Sequence, residues 1–170
     1  MISTKPGAAR WVVMGVSGSG KSAVGARLAA ALDAPFVEGD AFHPAQNVAR
    51  MAAGISLTDA DRAPWLAELA GRIKAAAEAG TPMVLACSAL KRRYRDLLRS
   101  GDAGLRFIHL TGDPAVLATR MGQRPGHFMP VSLLESQLRD LEPLGPDEHG
   151  IVLDIAATPD EQVAAVLAQA

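Results

Sequence analysis

The chain has 170 residues, 49% of them hydrophobic and 21% charged, which suits one globular domain with a sizeable core. Its formal net charge of −1 excludes a global electrostatic attraction to nucleic acid or to an anionic membrane. A single cysteine, Cys87, excludes an intrachain disulfide and a multi-cysteine zinc site, and His43, His109, His127 and His149 show no metal-ligand spacing.

No apolar run approaches the roughly 20 residues of a membrane span, and no long apolar stretch follows the segment Met1 to Arg10. The expected setting is the cytoplasm. Trp11 to Met14 reads as a buried strand ended by Gly15, and Lys21 to Leu32 as a helix with Val24, Leu28, Ala31 and Leu32 on one face. Pro35 to Glu38 is a short strand, turned out by Gly39-Asp40, and Pro44 to Ala53 a helix with proline in its first turn. Thr58 is an expected N-cap, with Asp59 and Asp61 in the first turn of a long helix running to about Glu78. Trp65, Leu66, Leu69 and Ile73 form its apolar stripe.

Met83 to Cys87 is a third strand, Ala89 to Arg99 a helix, and Leu105 to Leu110 a fourth strand. A helix over Ala115 to Met121 precedes the Gly- and Pro-rich stretch Gly122 to Pro130, which reads as a loop. Ser132 to Leu141 is a helix, Ile151 to Ile155 a fifth strand, and Pro159 to Ala168 a closing helix. Continuous apolar strands separated by helices imply a parallel sheet covered on both faces. The expected fold is a three-layer α/β sandwich with a five-stranded parallel sheet, in one domain over residues 1–170.

Gly15-Val16-Ser17-Gly18-Ser19-Gly20-Lys21-Ser22 satisfies G-x-x-x-x-G-K-[ST] at every fixed position. Phosphate oxygens need several donors converging on one point, and the glycines permit a backbone path on which successive N–H groups do so. The helix beginning at Lys21 directs its positive end at the same anion. Lys21 adds a charge for the β- and γ-phosphates of ATP, and the Ser22 hydroxyl is a ligand for Mg²⁺.

Three features select a small-molecule kinase among P-loop proteins. The chain ends soon after the fifth strand, and it contains no N-K-x-D guanine-reading motif. The loop over about 122–130 carries Arg124 and follows a helix bearing Arg120, the place of a closing lid with arginines for the phosphoryl group.

The stretches GVSGSGKS (Gly15 to Ser22), GDAFHP (Gly39 to Pro44) with Asn47 and Met51, and LTDADRAPWL (Leu57 to Leu66) resemble the gluconokinase family, relatives of shikimate and adenylate kinases. CSALKRRYRD (Cys87 to Asp96), RPGHF (Arg124 to Phe128), Gln137 and Leu141-Glu142-Pro143 extend the resemblance over about residues 11 to 155. Glu38 stands where such kinases often have Asp, and Pro125 stiffens a lid position often held by a polar residue. The resemblance implies ATP with Mg²⁺, D-gluconate as acceptor, 6-phosphogluconate as product, a sheet order 2-3-1-4-5 and a homodimer. The alternatives are a kinase for another small acid such as shikimate, and a nucleotide-binding regulator without an acceptor.

Asp40 follows the second strand at its carboxyl end, where open α/β sheets bind ligands. It either holds the acceptor hydroxyl and takes its proton, or merely forms a turn; the resemblance favours the first. Glu38 is a candidate Mg²⁺ ligand through water, or a solvated strand end. Lys91 and Arg95, four apart, are expected to share a helix face; they either meet the substrate carboxylate, the favoured reading, or form a solvated basic face with Arg92 and Arg93, and Arg92 is expected to pair with Asp96. Arg62 and Asp59 are either a surface pair at a helix start or substrate ligands. Ser88 faces the expected crevice, and His127 in the lid is a further substrate candidate. Trp65 and Cys87 are expected to pack in the core. The KRRYR cluster is too short to imply nucleic acid in a net-negative chain.

Overall fold

The computed structural model describes residues 9–122 and 132–169. Strands β1 (Arg10–Met14), β2 (Phe36–Glu38), β3 (Met83–Ala86), β4 (Arg106–Thr111) and β5 (Gly150–Asp154) form one sheet in the order β2-β3-β1-β4-β5. Every pairing is parallel, with Val12 opposite Leu85 on one side and Phe107 on the other. The order implied by the resemblance is the order found. Val12, Val84, Leu85, Phe107 and Ile108 have no exposed surface, because both faces of the central strands are covered by helices.

The helices are α1 (Lys21–Ala31), α2 (Ala45–Ala52), α3 (Asp59–Ala79), α4 (Arg92–Arg99), α5 (Pro114–Gly122), α6 (Ser132–Asp140) and α7 (Pro159–Gln169). No helix among the described residues is long and apolar enough to cross a membrane. Thr58 caps α3 as its sequence predicts. Its hydroxyl accepts from the Asp61 amide at 3.0 Å while Asp61 accepts from the Thr58 amide at 2.9 Å, a reciprocal capping box. Leu69 and Ile73 of the predicted stripe are buried.

Two short elements escape the sequence reading, one-turn 3-10 helices at Gly39–Phe42 and Pro146–Glu148. The larger difference lies before α4. The expected helix from Ala89 begins only at Arg92, because Ala89 has φ +46° and Lys91 is extended at φ −103°, ψ 148°. The Arg95 guanidinium holds this irregular turn, donating to Ala89 O at 2.8 Å and Leu90 O at 3.2 Å.

Beside the main core, Met51, Leu57 and Leu133 form a separate apolar cluster joining α2, the loop before α3, and α6. A hydrogen bond of 2.8 Å from Ser56 to Ser136 reinforces it. These elements wall one side of the site.

Candidate active site

The chain leaves β1 through the P-loop and enters α1 directly. Gly20, the N-cap of α1, has φ 93°, a conformation that glycine adopts without the steric cost of a Cβ. Lys21 Nζ donates to Val16 O at 3.2 Å, and the Ser17 amide donates to Gln137 Oε1 of α6 at 2.8 Å. Gly39, at the end of β2, lies so close to β3 that a Cβ would fall 2.4 Å from Ala86 O. That approach brings Asp40 to the carboxyl ends of the strands.

Two clefts open there. The larger, of about 500 Å³, is lined by Gly18, Ser19, Gly20, Arg120 and the segment from Ala156 to Pro159 after β5. Arg120 reaches across it to donate to Ile155 O at 2.9 Å. The second cleft lies between Ser17, Lys21, Asp40, His43, Arg62, Trp65 and Ser88, with about 30 Å³ of free space. That is room for about one water.

At the rear, the Ser22 hydroxyl donates to the Glu38 carboxylate. Glu38 is therefore tied to the P-loop rather than solvated alone. Two hard oxygens beside the phosphate-binding backbone fit Mg²⁺, which takes one or two protein oxygens and fills its octahedron with phosphates and water. Among the described residues no group of three or more His, Cys, Asp or Glu forms a metal site, and an ion shared with phosphates needs none.

Besides Lys21, the second cleft carries the cation Arg62. It is 7% exposed, and through Nη1 it donates to Tyr94 Oη at 2.8 Å and to Asp140 at 3.4 Å. Its other guanidinium nitrogens make no hydrogen bond among the described residues, which leaves donors for an anion. Asp59 does not pair with it. Tyr94, Lys91 and Arg93 all converge on Asp59 instead, with Lys91 at 3.1 Å and Arg93 at 2.8 Å. The Tyr94 and Lys91 hydrogen bonds hold the Asp59 carboxyl below the usual carboxylate range, and the bond to Asp59 raises Lys91.

The expectation for Lys91 and Arg95 is corrected here. Lys91 precedes α4 and turns to Asp59, so the two do not share a helix face. Arg95 has no exposed surface and donates to Glu148 at 2.7 and 3.1 Å. Burial would raise the Glu148 carboxyl, but hydrogen bonds from Arg95 and the Gly145 amide hold it below its ordinary value. Arg92 pairs with Asp96 at 3.3 Å, as its spacing predicts, and also with Asp147 at 2.7 Å.

Cys87 is fully buried, and burial pushes its thiol up to about 12, as befits an inert packing residue. Trp65 is a core residue at 2% exposure, yet its edge also walls the second cleft. His43 in that cleft was not singled out by the sequence reading: Asp40 and Asn47 lie within four residues of it, but the stacking partner Trp65 comes from α3. Arg124 and His127, with the lid over about 122–130, lie outside the described residues beyond Gly122.

A P-loop whose glycines line a nucleotide-sized cleft on one side, and whose lysine lines a carboxylate-bearing cleft on the other, is the arrangement of a P-loop kinase. A family model described as AAA domain matches residues 11–144. The gluconokinase of Gluconobacter oxydans (strain 621H) is 50% identical over 149 residues, covering 88% of this chain and 84% of that protein. Among solved structures, a gluconokinase from Sinorhizobium meliloti 1021 is 47% identical with a TM-score of 0.86, covering 97% of this chain and 94% of that one. A sugar kinase from Janibacter sp. HTCC2649 is 50% identical with a TM-score of 0.90, covering 94% and 92%. The chain belongs to the gluconokinase family.

Proposed function

We propose that this protein transfers the γ-phosphoryl group of ATP to D-gluconate, giving 6-phosphogluconate. The observation that carries the reading is that Lys21 of the P-loop and Asp40 line one cleft with the buried cation Arg62. The triphosphate lies on Gly15 to Ser22, with the base toward Ala156 to Pro159 and Arg120 beside the phosphates. The acceptor hydroxyl oxygen attacks the γ-phosphorus, the bond to the β–γ bridging oxygen breaks, and the hydroxyl proton passes to Asp40. Mg²⁺, held by Ser22 and through water by Glu38, supplies charge neutralisation on the β- and γ-phosphates.

Arg62 reads the substrate carboxylate, and Ser88 hydrogen-bonds a substrate hydroxyl. Arg124 and His127 complete the site when the lid over about 122–130 closes and excludes water. The protein acts in the cytoplasm as a homodimer of one-domain chains, without nucleic-acid or membrane partners.

A coupled assay with ATP, Mg²⁺ and either gluconate, shikimate or glucose tests the reading. Turnover with gluconate is expected to exceed that with glucose by at least roughly a hundredfold in kcat/KM, since glucose offers no carboxylate to the remaining nitrogens of the buried Arg62. Preference for shikimate would give the acceptor site to another acid. ATP binding without any phosphorylated acceptor would make the chain a regulator. Arg62→Met should raise KM for gluconate about 10- to 100-fold, the cost of one charge-assisted hydrogen bond, with KM for ATP nearly unchanged. Asp40→Asn should lower kcat by more than about tenfold; a loss of stability alone would make Asp40 a turn residue.

A further inference from the structure

His43 sits in the acceptor cleft, between the end of β2 and α2, and its side chain is only 4% exposed. Its ring stacks on Trp65 with centroids 4.0 Å apart and planes at 19°. The Trp65 indole N–H donates in turn to Gly39 O at 2.8 Å. One indole thus anchors both the imidazole and the backbone leading into Asp40.

The hydrogen bonds around the ring determine which nitrogen bears its proton. Asn47 Nδ2 lies 2.9 Å from Asp61 O and 3.3 Å from His43 Nδ1. A backbone carbonyl only accepts, so the Asn47 atom facing it is the amide nitrogen, and His43 Nδ1 meets a donor. Nδ1 is therefore the accepting nitrogen, and in the neutral ring the proton lies on Nε2. Asn47 is fully buried and keeps this orientation although its Oδ1 has no partner among the described residues. Turning the amide over would set that oxygen against the Asp61 carbonyl. Burial favours the neutral ring, with Arg62 acting in the same sense and Asp40 opposing it.

Nε2 points toward Asp40, at 3.9 Å from Oδ1. That is beyond hydrogen-bond reach, but the Asp40 side chain is 43% exposed and is not held by packing on all sides. Hydrogen bonds of this kind commonly tighten once substrate is in place.

We propose that His43 is a positioning residue, which Asn47 holds as the Nε2–H tautomer so that this N–H orients the Asp40 carboxylate toward the acceptor hydroxyl. The proton of that hydroxyl then goes to Asp40 and not to the imidazole, whose accepting nitrogen is turned away to Asn47. The inference rests on the reading of Asp40 as the acceptor-site carboxylate.

Nitrogen NMR of the full chain with labelled histidine reads the tautomer directly, His43 being assigned by the signal lost in His43→Gln. The expected result at neutral pH is an unprotonated Nδ1 and a protonated Nε2. An Nδ1–H ring or an imidazolium would overturn the proposal. Kinetics supply the second arm. His43→Gln retains an N–H near the position of Nε2 and should keep kcat within about fivefold. His43→Phe keeps the aromatic stack without a donor and should lose about 10- to 100-fold in kcat, with KM for ATP unchanged, as expected for one bond to a charged group. Equal losses in the two variants, or a wild-type kcat in His43→Phe, would overturn the positioning role. Wild-type turnover of gluconate is the control. Its absence removes the functional reading above, whereas normal turnover with the opposite tautomer removes only the role of His43.

Discussion

Lys21→Ala is expected to lower kcat by about 10²- to 10³-fold or more, the scale of removing one preorganised donor to charge that develops in the transition state. The ammonium group stands on the P-loop at 3.2 Å from Val16 O, and it lines the acceptor cleft with Asp40. On the proposed function it lies where the phosphoryl group passes between donor and acceptor. The half-buried residue sits at the mouth of the loop rather than in the core, so the variant should melt close to wild type. Steady-state kinetics beside a thermal melt provide the check. A folded Lys21→Ala protein with near-wild-type kcat would remove the P-loop mechanism.

Arg95→Met is expected to act on stability instead of on substrate binding. Arg95 and Glu148 are both buried, at 0% and 1% exposure, and share two hydrogen bonds. Removing one partner of such a pair leaves an uncompensated charge and costs about 3–5 kcal/mol. For a chain of this length that lowers Tm by roughly 6–20 °C. Arg99 and Arg92 also reach Glu148, at the rim of the cluster, and their attraction softens the loss. Adding Glu148→Met should recover much of it, because the buried acid then leaves with its partner. A stable Arg95→Met protein with a raised KM for gluconate would return Arg95 to the substrate site.

The two substitutions separate two kinds of information in the chain. The P-loop was legible because every part of it is local: the strand, the glycine turn, Lys21 and the first turn of α1 follow one another within a dozen residues. The Thr58 cap was legible for the same reason, its capping box closing over three residues. Strand positions followed from apolar runs, and their boundaries agree to within one residue or so because burial on both faces leaves little choice of residue type.

The reading of α4 failed at a point that no local rule marks. Four-residue spacing places Lys91 and Arg95 together only if both are helical, and Ala89 at φ +46° breaks the helix first. That turn persists because Arg95 reaches back to its carbonyls while holding Glu148, which lies 53 residues further along the chain. Arg62 shows the reverse case. Its sequence position left a surface pair with Asp59 and a substrate ligand equally open, and folding buries it against Tyr94 and Asp140, 32 and 78 residues away.

By itself, then, the sequence determined the phosphate-binding loop, the alternation of strands and helices, and the presence of Asp40 at a strand's carboxyl end. These depend on backbone geometry and on hydrogen bonds between near neighbours. Only the tertiary structure decided which of several arginines lines the cleft with Lys21 and Asp40, which is sealed against an acid, and which nitrogen of His43 meets Asn47. Charged and titratable groups take their roles from whatever partner folding brings within about 4 Å, and sequence separation says nothing of that distance.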